Sequence, residues 1–386
     1  MELGAKAITR ERLWSRDFVT ITLITLCTFL GFQMLLPTLP IYVKNLGGGD
    51  TSAGLVVGLF TFSAVLVRPF TGYALDVYGR KGLFLTGLMI FALCVLAYTW
   101  APSLFILLVL RFIHGFGWGL SSTASSTVVA DIIPKSRIGE GMGYYGLAGT
   151  LSMALAPALG LYIINEYSFN TLFLLAAFMV TISIVLAFNL NYKEVNPVRP
   201  GFTLVEKASL RPTLVIFLIT MTYGSIVSFL ALYAVQQGIE NIGPFFTVYA
   251  LSLAVFRPLS GRLADKYGFD LVVIPGILLI MGGMLLLHRA GTLEMFILTA
   301  IFYGAGFGAA QPSLQALAVV AAPPQRRGSA NATFFTGFDL GIGLSSIMWG
   351  AVAQVIGYSL MYLWAVIPAG IALVVYVLLG RGTKDR

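Results

Sequence analysis

Asp339 is the residue of this chain best placed to exchange a proton. It stands inside a long apolar run, 12 residues past Arg327, or about 18 Å along a helix at 1.5 Å per residue. A hydrocarbon layer about 30 Å thick puts it near mid-depth, where a charge costs roughly 2.5–3.5 kcal/mol or more. Two uses justify that cost. The carboxyl can gain and lose a proton during a working cycle, or it can hydrogen-bond a neighbouring helix at a close packing contact. Gly337 and Gly341 on either side suit the second use. Arg111 is the other charge within an apolar run that invites explanation, about eight residues in. It either takes part in chemistry or satisfies carbonyls and snorkels outward. His114, three residues later, fits a packed or hydrogen-bonded histidine better than a proton carrier.

Uncharged polar and aromatic side chains within apolar runs form a second set. Gln33, Ser122, Tyr145, Tyr223, Tyr249, Gln311, Gln315 and Phe335 are candidates to line a cavity, and such groups suit an amphipathic organic ligand. Taken singly, each is equally suited to packing or interhelical hydrogen bonding. Gln311 precedes Pro312, which predicts a break in that helix. No nucleophile–base pair, metal-ligand cluster or nucleotide loop is recognisable, so neither an enzyme nor a cofactor is expected. Cys27 and Cys94 lie within apolar runs at no metal or disulfide spacing.

The elements that must position these groups follow from composition. Hydrophobic residues make up 58% of the chain and charged residues only 10%, against about 25% charged in a soluble domain. This predicts an all-α polytopic membrane protein. Apolar runs long enough to cross a bilayer fall at 18–43, 52–73, 81–100, 103–128, 139–164, 169–190, 212–236, 244–264, 271–288, 293–320, 328–350 and 357–380. The first is too long for a cleaved signal peptide. With twelve spans, segments on the side of the N-terminus hold 19 of the 24 Lys and Arg, and the opposite loops hold only Lys44 and Arg289. That bias predicts both termini in the cytoplasm and makes a nucleic-acid partner unnecessary to explain the net charge of +8.

The chain also repeats itself. Arg68-Pro69-Phe70-Thr71-Gly72-Tyr73-Ala74-Leu75-Asp76-Val77-Tyr78-Gly79-Arg80-Lys81 returns 189 positions later as Arg257-Pro258, Gly261, Asp265, Tyr267 and Gly268. Phe269 and Asp270 replace the Arg80-Lys81 pair. At the same offset Gly115-x-Gly117-x-Gly119 matches Gly304-x-Gly306-x-Gly308, and Ala300 stands opposite Arg111. The glycine runs lie in apolar spans with no preceding strand, which suits close helix packing rather than a nucleotide loop. The repeat divides the chain into 1–190, a polar linker 191–211 that is partly helical at most, and 212–386.

The pattern G-x-x-x-D-x-x-G-R-K between apolar runs, with its second copy, resembles the loop signature of the major facilitator superfamily of transporters. The resemblance covers essentially the whole chain. It implies twelve transmembrane helices in two pseudo-symmetric six-helix bundles with the substrate between them. It further implies that Asp76, Arg80 and Asp131 form a cytoplasmic charge cluster that locks the halves in the outward-facing state, weaker at the second copy. Glu140 begins the fifth span and either joins the cluster or, as is commoner for an acid at a helix start, stays solvated. Arg111-Phe112-Ile113-His114-Gly115 resembles the span 4 motif R-x-x-x-G, whose Arg is associated with proton coupling. Gly143, Pro157 and Gly160 resemble the span 5 motif of the proton antiporter branch, from which Leu161 departs. Gly72, Pro157, Gly160 and Gly261 are thereby expected at the packing interface between halves.

The implied function is secondary active export of a small amphipathic organic molecule, driven by protons through Asp339 sensed with Arg111. It would operate in the cell membrane as a monomer with the lipid bilayer, protons and substrate as its partners. A symporter or facilitator for a sugar or organic acid is the alternative, since fold does not fix function; opposite movement of protons and substrate separates the two. A non-transporting sensor is remote, because no soluble domain is present to serve it.

Overall fold

The computed structural model describes residues 12–48, 50–101, 103–193, 203–239 and 241–380. The basic residues Lys6 and Arg10, the middle of the expected linker and the last six residues lie outside the described residues.

The chain folds into α1 (Arg16–Asn45), α2 (Asp50–Tyr78), α3 (Arg80–Ala97), α4 (Leu104–Ile132), α5 (Ile138–Glu166), α6 (Phe169–Phe188), α7 (Leu210–Gln236), α8 (Gly243–Tyr267), α9 (Asp270–His288), α10 (Leu293–Ala321), α11 (Arg327–Trp364) and α12 (Val366–Gly380). No strand occurs among the described residues, as a bilayer demands when every backbone group must be satisfied within its own helix. Serines start several helices: Ser15 and Ser168 accept from Phe18 N and Thr171 N at 3.1 Å each. Gly79 (φ 90°) and Gly268 (φ 92°) make the matching turns after α2 and α8, a backbone conformation that strains residues with a Cβ.

Among the described residues ten segments are long and apolar enough to cross a membrane, where the sequence predicted twelve spans. The difference has two causes. Helix α8 is less apolar than its neighbours, with Arg257 within it and Arg262, Asp265 and Lys266 near its end. The last two expected spans adjoin and count as one segment, although the backbone at Gly357 (φ 80°, ψ 165°) is not helical and interrupts that segment near the expected boundary. One further expectation changes. Helix α10 runs unbroken through Pro312, so the predicted break is absent; a membrane-spanning helix tolerates a proline where its surroundings re-satisfy the freed backbone. Helix α7 begins at Leu210, at the close of the expected linker, and the described end of that linker is docked. There Glu206 pairs with Arg326 at 3.1 Å and its N–H reaches Thr333 Oγ1 at 2.9 Å.

One hydrophobic core draws on residues from Leu13 to Leu190, with Ala316 and Val319 added. A second runs from Val215 to Tyr376. Glycine makes the helix contacts close. A Cβ on Gly117 would stand 2.8 Å from Phe91 N in α3, and one on Gly119 would stand 2.9 Å from Ala64 O in α2. In the second copy, Gly306 faces Ile280 N of α9 at 2.8 Å and Gly304 faces Ser252 Cβ of α8 at 2.6 Å. Alternate glycines therefore admit two different neighbours to one helix.

Candidate functional site

The repeated stretch places one glycine and one acid, a turn apart, at the end of α2 and again at the end of α8. A Cβ on Gly72 would lie 2.6 Å from Ala332 Cβ and 2.9 Å from Gly328 O, so only glycine lets α2 reach the start of α11. Asp76 then accepts hydrogen bonds from Gly328 N (2.8 Å), Ser329 N (2.9 Å) and Ser329 Oγ (2.7 Å). A carboxylate at a helix N-terminus takes up unpaired N–H groups and faces the positive end of the helix dipole. The second copy does the same in reverse. Gly261 presses on the backbone of Gly139, and Asp265 accepts from Gly139 N and Glu140 N at 2.8 Å each, at the start of α5. Each repeat thus caps a helix belonging to the other core.

Ion pairs extend both contacts. Arg80 reaches Asp131 at 3.0 Å and Leu75 O at 2.7 Å, and Arg327 of α11 reaches Asp131 at 2.9 Å and Ala130 O at 2.8 Å. Asp131 therefore joins α3 and α4 to α11. Arg80 and Asp131 also line a cavity of about 390 Å³ with Asp17, Asn191 and Lys193. The sequence predicted a weaker lock at the second copy, with Glu140 more commonly a solvated helix-start acid than a member of the cluster. Instead Glu140 is buried and pairs with Arg137 (2.6 Å) and with Arg262 of α8 (2.8 Å). Arg262 follows Gly261, whose lack of a side chain brings the two helices close enough for this pair.

Neutralising Asp76 should loosen this end measurably. Asp76→Asn removes the charge facing the α11 dipole, worth about 1–2 kcal/mol, or roughly a five- to thirty-fold change in the closed-to-open ratio. Ala130 is fully buried beside Arg327. The thiol introduced by Ala130→Cys, in a chain without Cys27 and Cys94, should react with an impermeant reagent about ten times faster when Asp76→Asn is added.

Deeper in, Asp339 of α11 is paired with Arg68 of α2. Arg68 Nε and Nη2 donate to Asp339 Oδ2 at 2.9 and 2.8 Å. Its Nη1 donates to Ser122 Oγ (3.1 Å) and Thr123 Oγ1 (3.0 Å) of α4, and the guanidinium sits 5.0 Å from the Phe335 ring centroid. Arg68 is 2% exposed while the Asp339 side chain retains 18%. Sequence reasoning noticed Arg68 only as the head of the repeat; a second charge within an apolar run was the signal that Asp339 had a partner.

Arg111 lies elsewhere. It is sealed between α2 and α4, donating to Val56 O (2.9 Å), touching His114 Nδ1 (3.4 Å) and lying over Phe60 (4.3 Å). His114 Nδ1 also meets Tyr98 Oη at 2.8 Å. The structure does not bring Arg111 to the Asp339 carboxylate, whose ion-pair partner is Arg68.

The cavity candidates divide into two groups. Tyr223 stacks on Phe307 (5.1 Å) and Tyr249 (6.3 Å), and Phe307, Phe338 and Phe335 continue the aromatic chain to Arg68. In the other core Trp118 of α4 stacks on Phe32 of α1 at 4.3 Å. The other group is tied into hydrogen bonds: Tyr145 to Ser125 (2.9 Å), Gln311 to Gln315 (3.3 Å), and Gln315 to Asn331 (3.4 Å). Gln33 is buried in α1. Gly160, expected between the halves, packs on α1 instead, where a Cβ would stand 2.7 Å from Met34 O. The early turns of α5, through Gly139 and Gly143, face α8, whereas its later turns lean on α1. Pro157 is half-buried in that later part.

The family model described as Major Facilitator Superfamily matches residues 21–246 and 240–386. An uncharacterized MFS-type transporter of Methanocaldococcus jannaschii is 24% identical over 367 residues, covering 91% of this chain and 95% of its own. The multi-drug resistance efflux pump PmrA of Streptococcus pneumoniae is 25% identical over 364 residues, covering 87% and 88%. The crystal structure of the human organic anion transporter MFSD10 superposes with a TM-score of 0.83 at 18% identity, covering 94% of this chain and 99% of that one.

Proposed function

This chain belongs to the Major Facilitator Superfamily, a family of transporters, and we propose that it exports a small amphipathic organic molecule in exchange for protons. It does so by alternating access between two six-helix halves, 1–190 and 212–386, joined by the linker 191–211. The two cores, each drawn almost wholly from one half, and the reciprocal capping by Asp76 and Asp265 support that division. The positive-inside bias supports cytoplasmic termini in the cell membrane, which makes the capped end cytoplasmic and the state outward-facing. The pneumococcal relative, an efflux pump, supports export. Two pseudo-symmetric halves supply a complete path in one monomer.

The observation that carries the proposal is the Arg68–Asp339 pair, a buried ion pair joining one half to the other. Ionised Asp339 holds the halves together through a charged bond. A proton on Asp339 removes that charge and favours the inward-facing state, in which substrate binds from the cytoplasm. A proton can move the equilibrium only by binding the two states unequally, and a pair made in one state and broken in the other supplies the inequality.

The test uses purified protein in liposomes with an acidic lumen and a fluorescent amphipathic drug outside. Protein inserted with its cytoplasmic face outward should accumulate the drug, and a protonophore should collapse the accumulation. Uptake that instead needs protons to travel in the same direction as the drug contradicts antiport.

A further inference from the structure

The two repeats carry one arginine each at the same place, and only one of them is neutralised. Arg68 has Asp339, Ser122 and Thr123. At the offset of the repeat, the counterparts of those three residues around Arg257 are Thr150, Gln311 and Pro312. No acid stands where Asp339 stands. Arg257 Nη1 donates to Gly146 O at 2.5 Å, a carbonyl that also accepts from Thr150 Oγ1 at 3.2 Å, and Arg257 Nε is buried without a partner. Among the described residues Arg257 makes no ion pair. An arginine offers five N–H donors in a planar fork that matches a carboxylate or sulfonate in two-point contact. A guanidinium at this depth with one carbonyl for company is short of an anion.

The surroundings indicate what kind of anion. The phenols of Tyr223 and Tyr249 lie within electrostatic reach of the guanidinium, and Tyr223 continues through Phe307 and Phe338 to Phe335 beneath Arg68. An aromatic wall beside an unmatched cation fits a flat organic body bearing one negative group. Resting on the transporter reading above, we propose that Arg257 is the anion-recognition group of the central site and that the preferred substrates are aromatic or amphipathic organic anions. The Arg68–Asp339 pair then stays free for the proton, and the two copies of one repeat divide the work between them.

The proposal is tested by binding to detergent-purified protein, followed by tryptophan fluorescence, of three probes that share one ring system: a naphthyl carboxylate, its primary amide and the matching naphthylalkyl ammonium. The wild type should bind the carboxylate at least ten-fold tighter than the amide and bind the ammonium weakest. Arg257→Gln should bring carboxylate and amide to within two-fold of each other, and Arg257→Lys should keep part of the preference, which also shows that the site is still folded. An unchanged carboxylate-to-amide ratio in a monodisperse Arg257→Gln protein overturns the proposal. So does loss of the preference in excess chloride, which assigns Arg257 to an inorganic ion. Export driven by a pH gradient is measured separately on the same preparations. Charge-blind binding with intact export overturns the anion assignment alone, whereas carboxylate-selective binding without proton-driven export overturns the antiport reading and leaves Arg257 as the anion group.

Discussion

Asp339→Asn is expected to abolish proton-driven accumulation, by at least about 100-fold, while exchange of substrate for substrate across the same membrane continues. Asparagine keeps an acceptor for Arg68 but removes the charge, so the variant imitates a permanently protonated carboxyl. A hydrogen bond to a charged partner is worth about 1.5–3 kcal/mol and a neutral one about 0.5–1.5, so the state in which the pair is made loses roughly 1–2 kcal/mol. That alone shifts the two states by only about ten-fold. The larger loss comes from coupling: without a titrating group there is no differential proton affinity, and a gradient can no longer drive the cycle. The desolvation of Arg68, 2% exposed, sharpens the effect, because a buried cation is left without its counter-charge. Counterflow and gradient-driven uptake in the same liposomes separate coupling from folding.

The second large effect is steric. A Cβ at Gly261 would stand 2.6 Å from the Gly139 carbonyl carbon and 2.8 Å from Glu140 Cα. These are backbone atoms of α5, so no side chain can turn aside. Gly261→Val should hold α5 and α8 apart at the capped end. Overpacking costs about 1–3 kcal/mol, and the two hydrogen bonds to Asp265 add about 1–2. Together they come to about 2–5 kcal/mol, so transport should fall by at least about 30-fold while the protein stays monodisperse. Gly82→Val is the control, because a Cβ there meets nothing within 4 Å, and it should transport within two-fold of the wild type. Equal activity of the two variants contradicts the account of closure.

How much of this was visible beforehand depends on the distance over which each residue acts. The repeat, its glycines and the all-helical fold were legible, because period and hydrophobic runs are local facts. Asp339 was legible as a charge in an apolar run. Its partner was not, because Arg68 lies in another helix and one sequence carries no distances between helices. Glu140 in the charge cluster was only the second of two readings for the same reason: a helix-start acid is ordinarily solvated, and the approach permitted by Gly261 buries it against Arg262. Gly160 was placed on the wrong neighbour because small size says that a helix comes close, not which one. Pro312 was read from its own chemistry, but a membrane-spanning helix tolerates a proline, and α10 runs through it.

The central claim is that the proton on Asp339 sets which end of the molecule is open. It is tested most directly by the distance between spin labels at Gly82 and Leu271, matching positions at the starts of α3 and α9 and both exposed. In wild-type liposomes the short distance should dominate at high pH and give way to a longer one on acidification. Asp339→Asn should show the long, acid-like distribution at every pH. A variant that still titrates as the wild type does would contradict the account and move the proton to another carboxylate.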